Sequence, residues 1–130
     1  MGSYYKGRIA YARWEWADPY QSNLWTACTV SVYRPSYDYP HVSVLVAIAN
    51  GGGKCFMRCK SLAEAQTRVV IPKQYLDRLH LAETQAISEM VTINDDIRLL
   101  REARRPGARI VNTDTGEILA DAERIIRGED

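Results

Sequence analysis

The chain has 130 residues, 46% of them apolar and 25% charged, with a formal net charge of +1. Such totals exclude a disordered chain, a polyanion mimic and a protein built around one broad basic face. A chain of this length buries roughly two-thirds of its unfolded surface and needs no disulfide or metal staple, so one domain is expected over residues 1–130.

The two halves differ. Residues 1–60 carry 7 Lys/Arg against 3 Asp/Glu, residues 61–130 carry 10 against 13, and eleven of the twelve aromatics lie at or before Phe56. A basic, aromatic half and an acidic, aliphatic half indicate two structural layers: a sheet over 1–60, then helices and a terminal hairpin over 61–130. No run of about eighteen apolar residues occurs, which argues against a transmembrane span and a membrane partner. The stretch MGSYYKGRIAYARWEW has no apolar signal core, and Lys6 stands where a myristoylation signal wants Ser or Thr. Three cysteines are an odd number and no disulfide framework, so a reducing cytoplasm is the expected location.

In chain order, β-branched and aromatic content predicts four strands: Tyr4–Trp16, bent or interrupted at Gly7; Trp25–Arg34; His41–Ala49; and Lys54–Lys60. Asp18-Pro19, Pro35 and Pro40 stop pairing between them, and the short connections favour an antiparallel meander. The glycine run Gly51–Gly53 fits a hairpin turn. If Ala49 pairs with Lys54, then Ile48 faces Cys55, Val46 faces Met57 and Val44 faces Cys59, all apolar. A slip of one residue would set Phe56, Arg58 and Lys60 against the Val/Ile row instead. This register puts Cys55 and Cys59 on the inner face with Met57, while Cys28 shares a row with Val30 and Val32. All three thiols are therefore expected to be buried. Cysteines four apart on a strand are ~13 Å apart, too far for one disulfide or one metal.

Ser61-Leu-Ala-Glu64 matches a capping box, predicting a helix to about Val70, and Pro72 suits the first turn of a second. From there Leu76, Leu79, Ala86, Met90, Ile93, Ile97 and Leu100 recur at three-four spacing, broken only by Glu83. Unbroken to Arg105, this helix would be ~50 Å long. A break with Thr92 or Asn94 capping a fresh start is the expected form, the continuous helix its rival. Arg104-Arg-Pro-Gly107 ends it. A hairpin follows, Ala108–Val111 and Glu117–Ala120 about a turn at Asn112–Gly116, and Asp121 can cap a last short helix.

No catalytic, cofactor-binding or metal-ligating set emerges. Gly51-Gly-Gly-Lys54 lacks Walker spacing and joins strand to strand. Cys28, Cys55, Cys59, His41 and His80 do not converge, because His41 has the parity opposite to the cysteines and His80 lies off the apolar stripe. No motif joins the histidines to a nucleophile. Glu15 and Asp18 beside tryptophans could form a glycosidase pair, though carboxylates at a strand end are far more often merely solvated.

The aromatics carry the functional reading. Trp25 and Tyr33 alternate with Ala27, Thr29 and Ser31 opposite the core row. Phe56 and Arg58 point outward, Trp14 and Trp16 share one face of the first strand, and Tyr20, Tyr37 and Tyr39 sit in loops. These nine residues form a candidate partner-binding surface of the types that anchor protein interfaces, unless the terminal hairpin or helices cover it. A sheet of aromatics and bases can also stack single-stranded nucleic acid, with Lys60, Arg98, Arg101, Arg105 and Arg109 as phosphate contacts. Cations at a helix C-terminus and an Arg98–Glu102 pair account for that cluster equally well. The stripe of Leu76, Leu79, Met90, Ile97 and Leu100 could support a homodimer.

The expected fold is α+β, an antiparallel sheet of about four strands with helices on one face and a small C-terminal hairpin, leaving the other face open. The expected function is a small non-enzymatic protein-binding module, with nucleic-acid binding as the alternative. In size, missing cofactor motifs and Tyr/Trp-rich surface the chain resembles in type small accessory proteins that bind and block something larger, such as phage-encoded inhibitors.

Overall fold

Alternation of β-branched with small or polar residues gives the first half four strands: β1 (Arg8–Ala17), β2 (Trp25–Tyr33), β3 (Ser43–Asn50) and β4 (Gly53–Cys59). Two helices follow, α1 (Leu62–Gln66) and α2 (Lys73–Ala103), and then a hairpin of β5 (Arg109–Val111) and β6 (Ile118–Asp121). The structure, a computed structural model, describes residues 7–17, 25–51, 53–103, 107–112 and 114–121. Strand order is β1-β2-β3-β4 with every neighbour antiparallel, so the sheet is a meander and the fold is α+β. None of the described helices is long and apolar enough to cross a membrane.

The glycine hairpin has the register that its apolar faces require. Ala49 pairs with Lys54, Ile48 with Cys55, Val46 with Met57 and Val44 with Cys59. Gly51 supplies a φ of 60°, a conformation open to residues without a Cβ. Val44, Val46, Cys28, Val30 and Val32 form one solvent-free inner row. Strand limits shift a little from those expected: β1 continues to Ala17, β3 starts at Ser43 after Pro40, and β4 stops at Cys59. A register shift between Arg8 and Ala10 distorts the start of β1, where Ile9 packs toward the core. The expected start at Tyr4 and the final helix after Asp121 lie outside the described residues.

Helix α1 is capped as its sequence asks and is shorter than expected. The Glu64 amide donates to Ser61 Oγ at 3.1 Å, and Glu64 reaches back to accept from the Lys60 amide at 2.8 Å. The helix stops at Gln66 rather than Val70, where Thr67 donates its hydroxyl to the Glu64 carbonyl at 2.6 Å. Such side-chain bonding to the preceding turn competes with helix continuation. Glu83, the one interruption in the apolar stripe, accepts from the Leu62 amide at 2.5 Å. It thus satisfies a first-turn donor of α1 from the neighbouring helix. Glu83→Ala should lower unfolding free energy by about 1–2 kcal/mol, measured by urea denaturation, because a charge-assisted bond to a helix-start amide is lost. Glu83→Gln, which keeps an acceptor oxygen, should cost less; equal loss for both would refute the capping role.

The long helix is continuous, against the expected break at Thr92-Ile-Asn-Asp95. Neither Thr92 nor Asn94 caps a new start; Thr92 instead bonds back toward the Ser88 carbonyl at 3.4 Å. Its length follows from serving two cores. Leu79, Ala82 and Ala86, with Leu76, Tyr75 and Met90 at the margin, pack on the inner sheet row together with Leu62, Ala65 and Ile71. Farther along, Ile93, Ile97 and Leu100 cover Ala120, Ala108 and Ile110 of the hairpin region and Tyr37 of the β2–β3 connection. The stripe named for self-association is thus buried within the chain: Leu79, Ile97 and Leu100 fully, Leu76 and Met90 partly.

The hairpin closes with Asn112 donating its amide to the Glu117 carbonyl at 2.8 Å and Gly116, at φ 75°, donating to the Asn112 carbonyl at 2.7 Å. The Asn112 side-chain oxygen accepts from the Asp114 and Thr115 amides, an Asx arrangement that explains Asn at this position.

Candidate functional site

Strand parity sorts the aromatics. Trp14 lies opposite Cys28 and Ala12 opposite Val30, so Trp14 and, by parity, Trp16 belong to the helix-facing side. Trp14 packs at the core margin and stacks on Tyr75 of α2 with centroids 6.0 Å apart, so its expected place on an open partner face is corrected, whereas Trp16, on the same side, is 38% exposed. Tyr37 is likewise turned inward. It packs on the second core and donates its hydroxyl to Asp96 Oδ2 at 2.6 Å. Burial first, and the Asp96 acceptor second, push its phenol up to about 12.

The outer side of the sheet carries the opposite parity. Tyr11 lies opposite Ser31, which pairs with Leu45 in turn, and Ala47 lies opposite Phe56. Arg8, Thr29, Ser31, Tyr33, Leu45, Ala47 and Phe56 line a shallow cleft of about 550 Å³ here. Phe56 is 64% exposed at its rim, and Tyr11 is 49% exposed with the Arg8 guanidinium 4.2 Å from its ring centroid. The described helices pack on the inner side through the core residues above. Toward the β2–β3 connection the Arg58 guanidinium lies 5.6 Å from the ring of Tyr39, itself 48% exposed and edge-on to His41. Tyr33 and Arg58 border a second hollow with Ser36, Asp38 and Ser43. The face therefore gathers Tyr33, Tyr39, Phe56 and Arg58 of the expected surface. The main chain of Trp25 opens β2 on the same parity, its side chain lies outside the described residues, and so does Tyr20.

Tyr11 and Arg8 were missed by sequence reasoning. Both parities of β1 carry aromatics, and the register shift after Arg8 puts Arg8 and Tyr11 on one side despite their odd spacing. The small Ala10 and Ala12, at the parity of Trp14, were the available sign of which side meets the helix.

The described basic residues named for nucleic acid lie on β4 and its end, along α2 and on β5. Lys60 and Arg58 border a hollow with His41, Glu83 and Met90. Arg98 lies eight residues beyond Met90, ~12 Å along the helix, and pairs with Asp95 at 3.5 Å and Glu102 at 4.0 Å. Arg101 is exposed near the end of α2 and Arg109 is exposed on β5, whereas Arg105 lies outside the described residues. Glu15 pairs with Arg13 at 2.7 Å, and Asp18 lies outside the described residues.

Two cysteines match their expected burial and one does not. Burial pushes the Cys28 thiol up to about 11, and burial, followed by the nearby Glu64 carboxylate, raises that of Cys59. Cys55 is exposed, which corrects the expectation of three buried thiols. It has the inner parity, but it lies near the turn end of the last strand, while α1 covers the Cys59 end. A small aromatic disulfide reagent should therefore titrate one thiol quickly in the native protein and three after denaturation. Cys55→Ser should abolish the fast phase, and a persistent fast phase in that variant would refute this assignment. Among the described residues no cluster of three His, Cys, Asp or Glu side chains is placed to hold a metal ion.

No family model, no curated protein and no solved structure matches this chain.

Proposed function

We propose that this protein is a small non-enzymatic binding module that captures a protein partner on the outer face of its sheet, in the manner of an inhibitory accessory protein. The observation that carries the reading is the open apolar cleft between Tyr33, Leu45, Ala47 and Phe56, with a large exposed ring at its rim and the described helices committed to the opposite face. An exposed Phe on a sheet surface contributes little to folding, and aromatic side chains flanked by arginines are the residue types that dominate interface energetics. Arg8 over Tyr11 and Arg58 near Tyr39 supply the polar rim around that centre.

The test compares capture of the partner from a lysate of the native host by wild type, by Phe56→Ala and by Tyr33→Ala, with captured proteins identified by mass spectrometry. Phe56→Ala should weaken capture about thirtyfold or more, the loss expected of an aromatic anchor worth about 2 kcal/mol. Its thermal midpoint should move by no more than about 2 °C, because the ring is mostly in solvent. Undiminished capture by both variants would overturn the reading.

A further inference from the structure

The chemistry of the partner can be read from the edge of β4. Asn50 and Gly53 form the closing pair of a two-residue hairpin loop. Such a loop closes on a pair that exchanges both main-chain bonds, and that exchange recurs at every second position. Cys55 and Met57 therefore bond to β3, while the N–H and C=O of Lys54 and Phe56 point to the other side. β4 is the last strand of the sheet among the described residues. Its outer-face side chains, Lys54, Phe56 and Arg58, are all exposed.

We propose that this edge takes up an extended segment of the partner as a fifth strand, with the side-chain pattern acidic–apolar–apolar–apolar–acidic; this rests on the binding-module reading above. Alternate side chains of an added strand sit opposite Lys54, Phe56 and Arg58 on the outer face. Charge complementarity sets acids at the two ends and an apolar group over the Phe56 ring at the cleft rim. The intervening two side chains fall beside exposed Cys55 and half-buried Met57 at the margin of the core, which favours apolar groups there.

A second copy of this chain fits the edge poorly. Antiparallel pairing of two β4 strands centred on Phe56 sets Lys54 against Arg58, and centring on Met57 sets Lys54 against Lys60. Like charges directly opposite each other destabilise a strand pair, and edge lysines commonly block such pairing. A nucleic-acid backbone also fits poorly, because phosphate only accepts hydrogen bonds whereas the strand edge alternates donors and acceptors.

The test titrates 15N-labelled protein with a terminally blocked nonapeptide centred on Glu-Val-Tyr-Val-Glu. Comparison peptides are a Lys-Val-Tyr-Val-Lys counterpart and Glu peptides N-methylated at alternate residues in either phase. The Glu peptide should shift the Lys54 and Phe56 amides, and the Lys peptide should bind at least about tenfold more weakly. Lys54→Glu should erase that preference and Lys54→Glu with Arg58→Glu should reverse it, and N-methylation should abolish binding in one phase only. Silence of the β4 amides at about 1 mM peptide, equal binding of the two charge types, or displacement of the Glu peptide by an oligothymidylate would overturn strand addition. Should the peptides fail while Phe56→Ala still loses the natural partner, the open face remains the site and strand addition alone is wrong. Natural capture indifferent to Phe56→Ala and Tyr33→Ala would remove the face as well.

Discussion

Replacing Leu79 with alanine will lower the free energy of unfolding by about 2–5 kcal/mol, because the side chain is wholly buried among a close-packed aliphatic set. Leu79 is, with Leu62, among the largest side chains that the core excludes fully from solvent, and it belongs to the same cluster as Val30, Val32, Val44 and Val46. The loss combines the transfer of the missing methyl and methylene groups with the cavity they leave, and the spread reflects how far the helix can settle onto the sheet. For a protein whose total stability is of order 5–15 kcal/mol, this is a large fraction. The experiment also decides the role of the apolar stripe. A stripe spent on the sheet of its own chain gives a urea midpoint independent of protein concentration, in wild type and variant alike. A stripe joining two chains gives a midpoint that rises with concentration, and a scattering mass that rises with it. A loss below about 1 kcal/mol, or a concentration-dependent midpoint, would contradict the packing of Leu79 against its own sheet.

Most of this architecture was legible because its determinants are local and periodic. The β3–β4 register follows from one face being apolar and the other not, and the capping box at Ser61 is a spacing rule with a hydrogen bond behind it. What escaped was whatever depended on a partner distant in sequence. Tyr75 covers Trp14, and Asp96 holds Tyr37, 59 positions away; nothing near either aromatic announces its cover. Cys55 failed for the complementary reason: alternation assigns a side to each residue but does not say how far along a strand the covering helix extends. The unbroken α2 is legible as a pattern, and its length together with the capping residues Thr92 and Asn94 argues for a break; the use of a second core becomes apparent only with the hairpin lying against Ile93, Ile97 and Leu100. Of the nine residues named for the candidate surface, Tyr33, Tyr39, Phe56 and Arg58 share the outer side, while Trp14 and Tyr37 pack against the cores. Phe56, Tyr33 and Arg58 lie on strands whose parity a valine row fixes, whereas both sides of β1 are aromatic.

Ile97→Asp will separate the two cores. The side chain is nearly solvent-free in a cluster of Ile93, Leu100, Ala120, Tyr37, Ala108 and Ile110, which offers a carboxylate no cationic partner among its members. Burying an unpaired charge there costs more than a contact set of this size can supply, so the hairpin should leave the helix instead. Hydrogen exchange at the Ile110 and Ala120 amides should accelerate by about a hundredfold or more, while amides of Val30 and Val44 in the central strands should change little. Uniform acceleration across both cores would mean that they unfold as one unit and that the partition is wrong. High pH should act on the same latch through Tyr37. Its phenol ionises near 10 ordinarily and near 12 here. A raised value means that the folded state favours the protonated phenol, so its contribution is complete below pH 10 and is lost as pH climbs toward 12. Tyr37→Phe removes both the bond to Asp96 and that part of the pH dependence. Hairpin protection in this variant should start lower at neutral pH and decline less steeply across the same window.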